Sequence, residues 1–285
     1  MSRFEAMFSR LQVRAEKALI GYLTVGDPGL VESEARCETA LAAGVDALEL
    51  GIPYSDPLAD GPVIQAAGQR ALAAGFRLEW LWQILRHLRE RHPDTPLAIM
   101  TYVNPVLQVG MEKFVSRAAA EGADALIVPD LPPEEEKPLL SVCRNLGLDL
   151  IPFVAPTTPL ARMREVLPGH SGFVYCVSIT GVTGTQLDGR VSEAESRPID
   201  ELLAQARAVS GLPVSLGFGI YSAADIRRFG READGVIVGS ALVRIRSTAE
   251  LGEFVRSLKE ATRADSQQKR VGRGRGEETA AVIQS

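Results

Sequence analysis

The chain has 285 residues, of which 46% are hydrophobic and 24% charged, so it carries ample apolar material for a folded core. Its formal net charge of -5 gives no electrostatic reason to expect binding to nucleic acid or to an anionic membrane surface. The cysteines Cys37, Cys143 and Cys176 lie far apart, which argues against a disulfide framework or a zinc site and predicts buried free thiols in a cytoplasmic protein. No run reaches the ~18 apolar residues that a membrane-spanning helix needs.

The first predicted element is a helix over residues 4–13, after which short apolar runs alternate with longer amphipathic segments. Each apolar run is rich in strand-forming residues and is apolar on both faces, as expected of a parallel strand covered by helices. Eight strands are predicted, at residues 18–24, 45–50, 97–101, 125–128, 149–154, 172–177, 213–216 and 235–238. Helical spacing predicts helices at 31–43, 78–91, 111–121, 133–146, 159–167, 199–210, 222–229 and 248–261.

This repeated alternation of strand and helix predicts an α/β fold, a closed (β/α)8 TIM barrel over residues 1–261, with the extra N-terminal helix across the barrel floor. An open doubly wound sheet is the alternative that the pattern leaves open. Residues 262–285 combine Gly, Gln, Arg and Glu with little apolar periodicity, so we predict a disordered C-terminal tail there. A binding arm for nucleic acid or a partner is the alternative reading of the arginines Arg270, Arg273 and Arg275, which alternate with glycines.

One short pattern recurs at residues 44–48, 122–126 and 232–236. In each copy a helix ends, a small residue and an aspartate form a turn, and an apolar strand follows. The aspartates are Asp46, Asp124 and Asp234. The spacing between copies is irregular, so the pattern indicates one kind of αβ turn used three times and not a solenoid.

Glu49 stands near the carboxyl end of the second predicted strand, between Leu48 and Leu50. Period-two alternation places it on the same face as Val45 and Ala47, and a carboxylate inside an apolar barrel is costly unless it is paired or protonated. Burial would raise its pKa, which suits a group that gives and takes a proton near neutral pH. A structural carboxylate satisfied by a hydroxyl or a cation is the alternative.

The loop after this strand contains a second acidic candidate, Asp60, followed by Gly61-Pro62 at the start of a helix. A helix N-terminus favours the ionised form of a carboxyl group. We therefore expect a contrast between a desolvated Glu49 and an Asp60 exposed to helix amides, and such contrast can divide roles between a proton shuttle and a fixed charge. An ordinary helix N-cap is the alternative for Asp60.

The loops after the last two strands resemble a phosphate site. Gly217-Phe218-Gly219 follows the seventh strand, and Gly239-Ser240 follows the eighth. Barrels often bind phosphate between these two loops, because glycine lets backbone N–H groups approach an oxyanion. Ser240 can add a hydroxyl donor, while ordinary turn glycines remain the alternative. The long polar segment 178–197 is predicted to be a lid over the barrel mouth, unless it is an insertion without a role.

The fourteen-residue string from Glu49 to Pro62 closely resembles the signature of tryptophan synthase alpha subunits. The resemblance extends over roughly residues 1–260 and includes further strings in the expected order. They are Gly26-Asp27-Pro28, Met100-Thr101-Tyr102-Val103-Asn104-Pro105, Val128-Pro129-Asp130-Leu131-Pro132, Gly181-Val182-Thr183-Gly184 and Gly217-Phe218-Gly219-Ile220. Ile179-Thr180 depart from the Arg-Ala of some members, and the tail from Thr262 has no counterpart.

The resemblance implies roles for individual residues. Glu49 corresponds to the general acid-base that protonates C3 of indole and helps deprotonate the glycerol hydroxyl, and Asp60 to the carboxylate that binds the indole nitrogen. The implied indole-pocket walls are Tyr22, Met100 and Ile127, with Tyr175 at the active-site end of strand six. Thr183 belongs to the implied lid, and the implied phosphate-binding positions are Gly184, Gly219, Gly239 and Ser240. A well-known member carries Phe and Leu where this chain has Tyr22 and Met100.

The reaction implied by the resemblance is retro-aldol cleavage of indole-3-glycerol phosphate to indole and glyceraldehyde 3-phosphate. It implies no metal and no cofactor in this chain, since pyridoxal phosphate belongs to the beta subunit. The implied partner is that beta subunit, in an α2β2 heterotetramer, docked over Asp56, Asn104 and Pro132. The alternatives are a stand-alone lyase that releases free indole, a non-catalytic activating subunit, and another phosphate-binding barrel enzyme.

Overall fold

The structure, a computed structural model, describes residues 1–177, 193–217, 219–229 and 232–263. Its strands are β1 Ala18–Thr24, β2 Ala47–Gly51, β3 Leu97–Met100, β4 Ala125–Ile127, β5 Asp149–Leu150, β6 Phe153–Val154, β7 Val174–Val177, β8 Val214–Gly217 and β9 Gly235–Val238. Its helices are α1 Arg3–Val13, α2 Leu30–Ala43, α3 Pro62–Ala73, α4 Leu78–Arg91, α5 Val103–Val109, α6 Met111–Ala120, α7 Lys137–Asn145, α8 Leu160–Val166, α9 Glu193–Ser210, α10 Ala223–Phe229 and α11 Ser240–Arg244. A last helix, α12, covers residues 248–263.

The strands form one parallel sheet in the order β5-β4-β3-β2-β1-β9-β8-β7-β6. β5 and β6 are the two halves of the single strand predicted at 149–154, separated by Ile151 and Pro152. Ile151 N donates to Leu126 O on one side, and Tyr175 N donates to Pro152 O on the other. Because the two edges of the sheet are one continuous segment, the sheet closes, and the structure confirms the barrel and excludes the open sheet.

Helix α1 closes the floor of the barrel, as predicted. Ser2 accepts a hydrogen bond from Glu5 N and so caps the helix. The buried side chains of α1 recur at helical spacing, at Phe4, Met7, Phe8 and Leu11. They pack into the barrel interior, which the first four strands line with alanines at Ala18, Ala47, Ala98 and Ala125. These small residues leave room for aromatic rings at the floor.

The outer core lies between the sheet and the surrounding helices and contains apolar residues of the eight helices predicted after α1. Two helices that the sequence analysis did not predict, α5 and α11, have 7 and 5 residues, too short to show a helical period. Helix α12 runs two residues beyond the predicted boundary, and Thr262 is buried with its carbonyl accepting from Lys17 N. The predicted tail beyond residue 263 lies outside the described residues. In the described part of the chain, no helix has the length and apolar character to cross a membrane.

Candidate active site

A cavity opens at the end of the barrel where the strands terminate, and its empty space of about 510 Å³ continues into solvent. The lining residues come from strand ends and from the loops after them: Tyr22, Glu49, Asp60, Ile64, Met100, Tyr175, Gly219, Ile220, Tyr221, Ile237, Gly239 and Ser240. The structure therefore brings both acidic candidates, three of the predicted wall residues and three of the predicted phosphate-binding residues to one cavity.

Glu49 lies on β2 opposite Tyr22 of β1 and points into the barrel, as the alternation along the strand predicted. Its side chain is only 1% exposed, and neither carboxyl oxygen has a hydrogen-bond partner among the described residues. Burial without a compensating cation or donor raises the pKa of Glu49 to about 8. The carboxyl group is therefore protonated at neutral pH, and its proton is available to a ligand in the cavity.

Asp60 lies in the loop between β2 and α3 and faces the same cavity. It is not the cap of α3, because the N-cap is Gly61 and no side chain caps the helix. Burial raises the pKa of Asp60 to about 6, and a hydrogen bond from Tyr102 opposes that rise. The sequence predicted that helix amides would keep Asp60 ionised. This prediction was wrong, because desolvation is the largest influence on the pKa of both Glu49 and Asp60. The pKa of Asp60 nevertheless stays lower than that of Glu49, because Asp60 is less completely buried and because Tyr102 donates a hydrogen bond to it.

Two glycines make room for the tyrosines of the cavity. A Cβ added at Gly51 would stand 2.1 Å from the Tyr22 hydroxyl, and one added at Gly217 would stand 2.3 Å from the Tyr175 ring. No side chain fits at such distances, so both aromatic rings depend on a glycine on the neighbouring strand. Burial raises the pKa of both phenols well above the ordinary value, and they stay neutral.

The loops after β8 and β9 contribute Gly219, Gly239 and Ser240 to the cavity. Gly219 has φ 78°, in the left-handed region that favours glycine, so this turn depends on the absence of a side chain. Gly239 is the N-cap of α11, and Ser240 is the first residue of that helix. Thr183 and Gly184 lie outside the described residues, as does most of the predicted lid.

Two isoleucines, Ile127 and Ile64, bear on the predicted cavity wall. Ile127 is completely buried with the residues of the barrel interior and is not among the lining residues given above, so its assignment to the wall stays a prediction. Ile64, on α3, lines the cavity in addition to Tyr22 and Met100. The sequence contains no signal for Ile64, because its position depends on where α3 packs. Alternation along β9 could have indicated Ile237.

The three residues expected to face a partner are exposed: Asp56 and Pro132 on the loops after β2 and β4, and Asn104 at the start of α5, which follows β3. Asn104 Nδ2 donates a hydrogen bond of 3.0 Å to the Tyr54 hydroxyl. Leu58, in the same loop as Asp56, is 79% exposed. These residues therefore belong to one rim, although they follow three different strands.

Comparison with known proteins decides the family. The family profile described as tryptophan synthase alpha chain matches residues 8–271. The tryptophan synthase alpha chain of Carboxydothermus hydrogenoformans is 49% identical over 245 residues, which covers 86% of this chain and 89% of that protein. That of Roseiflexus castenholzii is 45% identical, with 92% of this chain and 98% of that protein covered. The chain belongs to the tryptophan synthase alpha chain family.

Solved structures agree with this assignment. A chain of Mycobacterium tuberculosis tryptophan synthase superposes with a TM-score of 0.84 at 35% identity, covering 92% of this chain and 98% of that one. The alpha subunit from Legionella pneumophila gives a TM-score of 0.79 at 33% identity and covers 92% and 98% of the two chains. As a tryptophan synthase alpha chain, the protein is a lyase that cleaves indole-3-glycerol phosphate in tryptophan biosynthesis. The family works with a beta subunit.

Proposed function

We propose that Glu49 and Asp60 divide the work of this cleavage between a proton shuttle and a fixed negative charge. The observation that carries the proposal is the pair of buried carboxyl groups on one cavity, one with its pKa raised to about 8 and the other to about 6. Between these two values Glu49 is protonated while Asp60 is ionised. That combination supplies both an acid and an anion to one ligand near neutral pH.

Glu49 donates its proton to C3 of the indole ring, which turns the ring into an electron sink with a positively charged nitrogen. The resulting carboxylate then accepts the proton of the glycerol hydroxyl as the carbon–carbon bond breaks. The electron pair of that bond returns to the ring, which restores indole, and the hydroxyl carbon becomes the aldehyde of glyceraldehyde 3-phosphate. A carboxyl group with a pKa near the working pH suits both transfers, because neither direction is strongly uphill.

Asp60 accepts a hydrogen bond from the indole N–H and stabilises the positive charge that develops on this nitrogen. The stabilisation grows as the reaction proceeds, because the substrate ring is neutral and the intermediate is cationic. The cavity is largely closed to water at Glu49, and low polarity strengthens the attraction between the two charges. The specificity constant kcat/KM should therefore rise as the pH passes about 6, where Asp60 ionises. It should fall as the pH passes about 8, where Glu49 loses its proton.

The remaining cavity residues bind the two ends of the substrate. We assign Tyr22, Met100 and Tyr175 to the indole ring, together with Ile64. Gly219, Gly239 and Ser240 are assigned to the phosphate, whose oxygens would accept from backbone N–H groups and from the serine hydroxyl. Thr183 and Gly184 remain assigned to the lid and to the phosphate by the family resemblance. No metal and no cofactor is proposed for this chain.

We further propose an α2β2 heterotetramer in which a beta subunit, carrying the pyridoxal phosphate, docks on the rim formed by Asp56, Asn104 and Pro132. The exposed positions of these residues around the cavity support the proposal, because indole leaving the cavity would enter the partner directly. We place the complex in the cytoplasm, with the three buried cysteines as free thiols in support. No observation favours a stand-alone lyase.

The test of these roles is to measure indole release from indole-3-glycerol phosphate by the variants Glu49→Gln and Asp60→Asn. We expect Glu49→Gln to lower kcat by about 1000-fold or more with little change in substrate affinity, because it removes proton transfer and keeps the shape of the cavity. Asp60→Asn should lower kcat by about 100-fold. Cleavage by Glu49→Gln within tenfold of the unmodified chain would refute the proposed role of Glu49. Equal indole release with and without the beta subunit would favour the stand-alone lyase.

A further inference from the structure

The Tyr102 hydroxyl makes three hydrogen bonds with Ala59 and Asp60, and one of them reaches the Asp60 carboxyl group. Tyr102 is the N-cap residue of α5, at the end of β3, and it is buried. Its oxygen accepts from Ala59 N at 3.1 Å and from the backbone N–H of Asp60, and its hydroxyl is hydrogen-bonded to the Asp60 side chain. Because two N–H groups donate to the oxygen, the single phenolic proton is directed to the carboxylate.

The ring of Tyr102 is held in place by the rim of the cavity. It stacks on the ring of Tyr54 with the centroids 5.2 Å apart and an angle of 28° between the planes. The Tyr54 hydroxyl in turn accepts from Asn104 Nδ2 at 3.0 Å. Asp130 completes the arrangement, since its Oδ1 accepts from Val103 N at 2.9 Å and fixes the start of α5. Contacts therefore run without interruption from the exposed Asn104 to the carboxyl group of Asp60.

We infer that Tyr102 and Tyr54 are positioning residues that hold the Asp60 carboxylate for the reaction and that transmit contact at Asn104, on the exposed rim, to Asp60. A chain docked on the rim that engages Asn104 changes the Tyr54 hydroxyl contact, and the stacked rings carry that change to Asp60. The inference rests on the proposed roles of Asp60 and of the rim.

The charge state of Asp60 follows from the groups that face it. Tyr102 faces it from the start of α5, Tyr22 from β1 and Tyr175 from β7, with Glu49 on β2 in the same cavity. Of these, Tyr102 makes the hydrogen bond that lowers the pKa of Asp60, against the desolvation that raises it. Removing this hydroxyl leaves desolvation unopposed, so the pKa of Asp60 rises and a higher pH is needed to ionise it.

The first experiment compares Tyr102→Phe with Tyr22→Phe by measuring kcat/KM for indole-3-glycerol phosphate from pH 5 to pH 9. Tyr102→Phe keeps the ring that stacks on Tyr54. We expect the rise of kcat/KM on the acidic side of its pH profile, the acidic limb, to shift to higher pH by about one unit. Tyr22→Phe makes the same chemical change at a hydroxyl bonded to Thr24 instead of to Asp60, and its acidic limb should stay in place. A purely structural role for Tyr102 would lower activity at all pH values without moving the limb, and that outcome overturns the inference.

The second experiment separates the stack from the hydroxyl contact. Tyr54→Leu removes the ring, and we expect kcat to fall by about tenfold while KM changes by less than about twofold, because Asp60 acts mainly in the transition state. Tyr54→Phe keeps the ring and removes only the acceptor of Asn104. At a saturating concentration of the beta chain, its cleavage should be stimulated less than half as much as that of the unmodified chain.

The outcomes distinguish this inference from the proposed function. Two results overturn transmission from the rim. In one, saturating beta chain stimulates cleavage by Tyr54→Phe as much as cleavage by the unmodified chain; in the other, it stimulates neither. A kcat of Tyr54→Leu equal to that of the unmodified chain overturns positioning by the stack. If Asp60→Asn cleaves at the normal rate, the proposed role of Asp60 itself has failed, whatever the tyrosine variants do.

Discussion

Three aspartates at the floor of the barrel and Glu49 at its mouth contrast in whether the carboxyl group has partners. At the floor, where strands begin, the three aspartates of the recurrent αβ turn each have a backbone N–H and a cation as partners. The backbone donors are Leu19, Leu97 and Val214, at 2.8, 2.8 and 2.9 Å from Asp46, Asp124 and Asp234. The cations are Lys259, Arg89 and Arg207, at 2.7, 2.6 and 3.1 Å. At the mouth, where strands end, Glu49 has neither kind of partner among the described residues.

These four acids illustrate two uses of a carboxyl group within one barrel: ion pairing that joins elements of the fold, and the proton transfer proposed for Glu49. A carboxylate with a cation and an N–H donor keeps its charge and joins elements that are distant in sequence. A buried carboxyl group without partners keeps its proton instead, and the fold tolerates the unfavourable burial. Removal of one of the three paired aspartates at the floor should therefore lower stability, whereas removal of the Glu49 carboxyl group at the mouth should raise it.

The largest effect on stability is expected from Asp124→Ala at the floor. The substitution leaves Arg89, which is only 15% exposed, without its carboxylate and Leu97 N without its acceptor. We expect the free energy of unfolding to fall by about 4 kcal/mol, as measured by urea denaturation. The rate of cleavage per folded molecule should stay within about twofold of the original, because Asp124 is remote from the cavity. If Asp124→Ala keeps the stability of the unmodified chain but loses activity, the assignment of Asp124 to stability is wrong.

Glu49→Gln is expected to have the next largest effect, with the opposite sign at high pH. The pKa of Glu49 is about 8 in the folded state, above the ordinary value of 4.5, so the folded state holds a proton that the unfolded state releases. The unmodified chain therefore loses stability as pH rises from 4.5 to about 8. Gln does not titrate, so the stability of the variant relative to the original should increase by about 3 kcal/mol between pH 5 and pH 8. Urea denaturation at the two pH values measures it, and a constant difference would contradict the assigned pKa.

The smallest effect on stability is expected from Asp234→Asn, which compares an exposed ion pair at the floor with the buried ion pair of Asp124. Asp234 accepts from Val214 N and pairs with Arg207, but the two side chains are 39% and 38% exposed. Solvent screens a pair of this kind, so we expect a loss of only about 1 kcal/mol in the free energy of unfolding. A loss as large as that of Asp124→Ala would show that burial does not set the contribution of these aspartates.

Much of the molecule was predictable from the sequence, because the relevant signals are local. Short apolar runs alternating with amphipathic segments were sufficient for the barrel and for α1 across its floor. Alternation along β2 placed Glu49 inside, and the glycines after β8 and β9 indicated the other side of the cavity. The recurrent turn at Asp46, Asp124 and Asp234 was visible as a repeated string. Each of these features depends on neighbours within a few positions in the chain.

Other features depended on packing between segments that are distant in sequence. Tyr102 lies 42 positions from Asp60, and only the folded loops place its hydroxyl on that carboxyl group and set its pKa. The same holds for Ile127, which the curvature of the sheet leaves in the interior, and for Ile64, which the docking of α3 brings to the cavity. The sequence by itself determined which residues are acidic, apolar or flexible, and in what order they alternate. The tertiary structure decided which acids find partners, because partnership depends on distances that residue order does not specify.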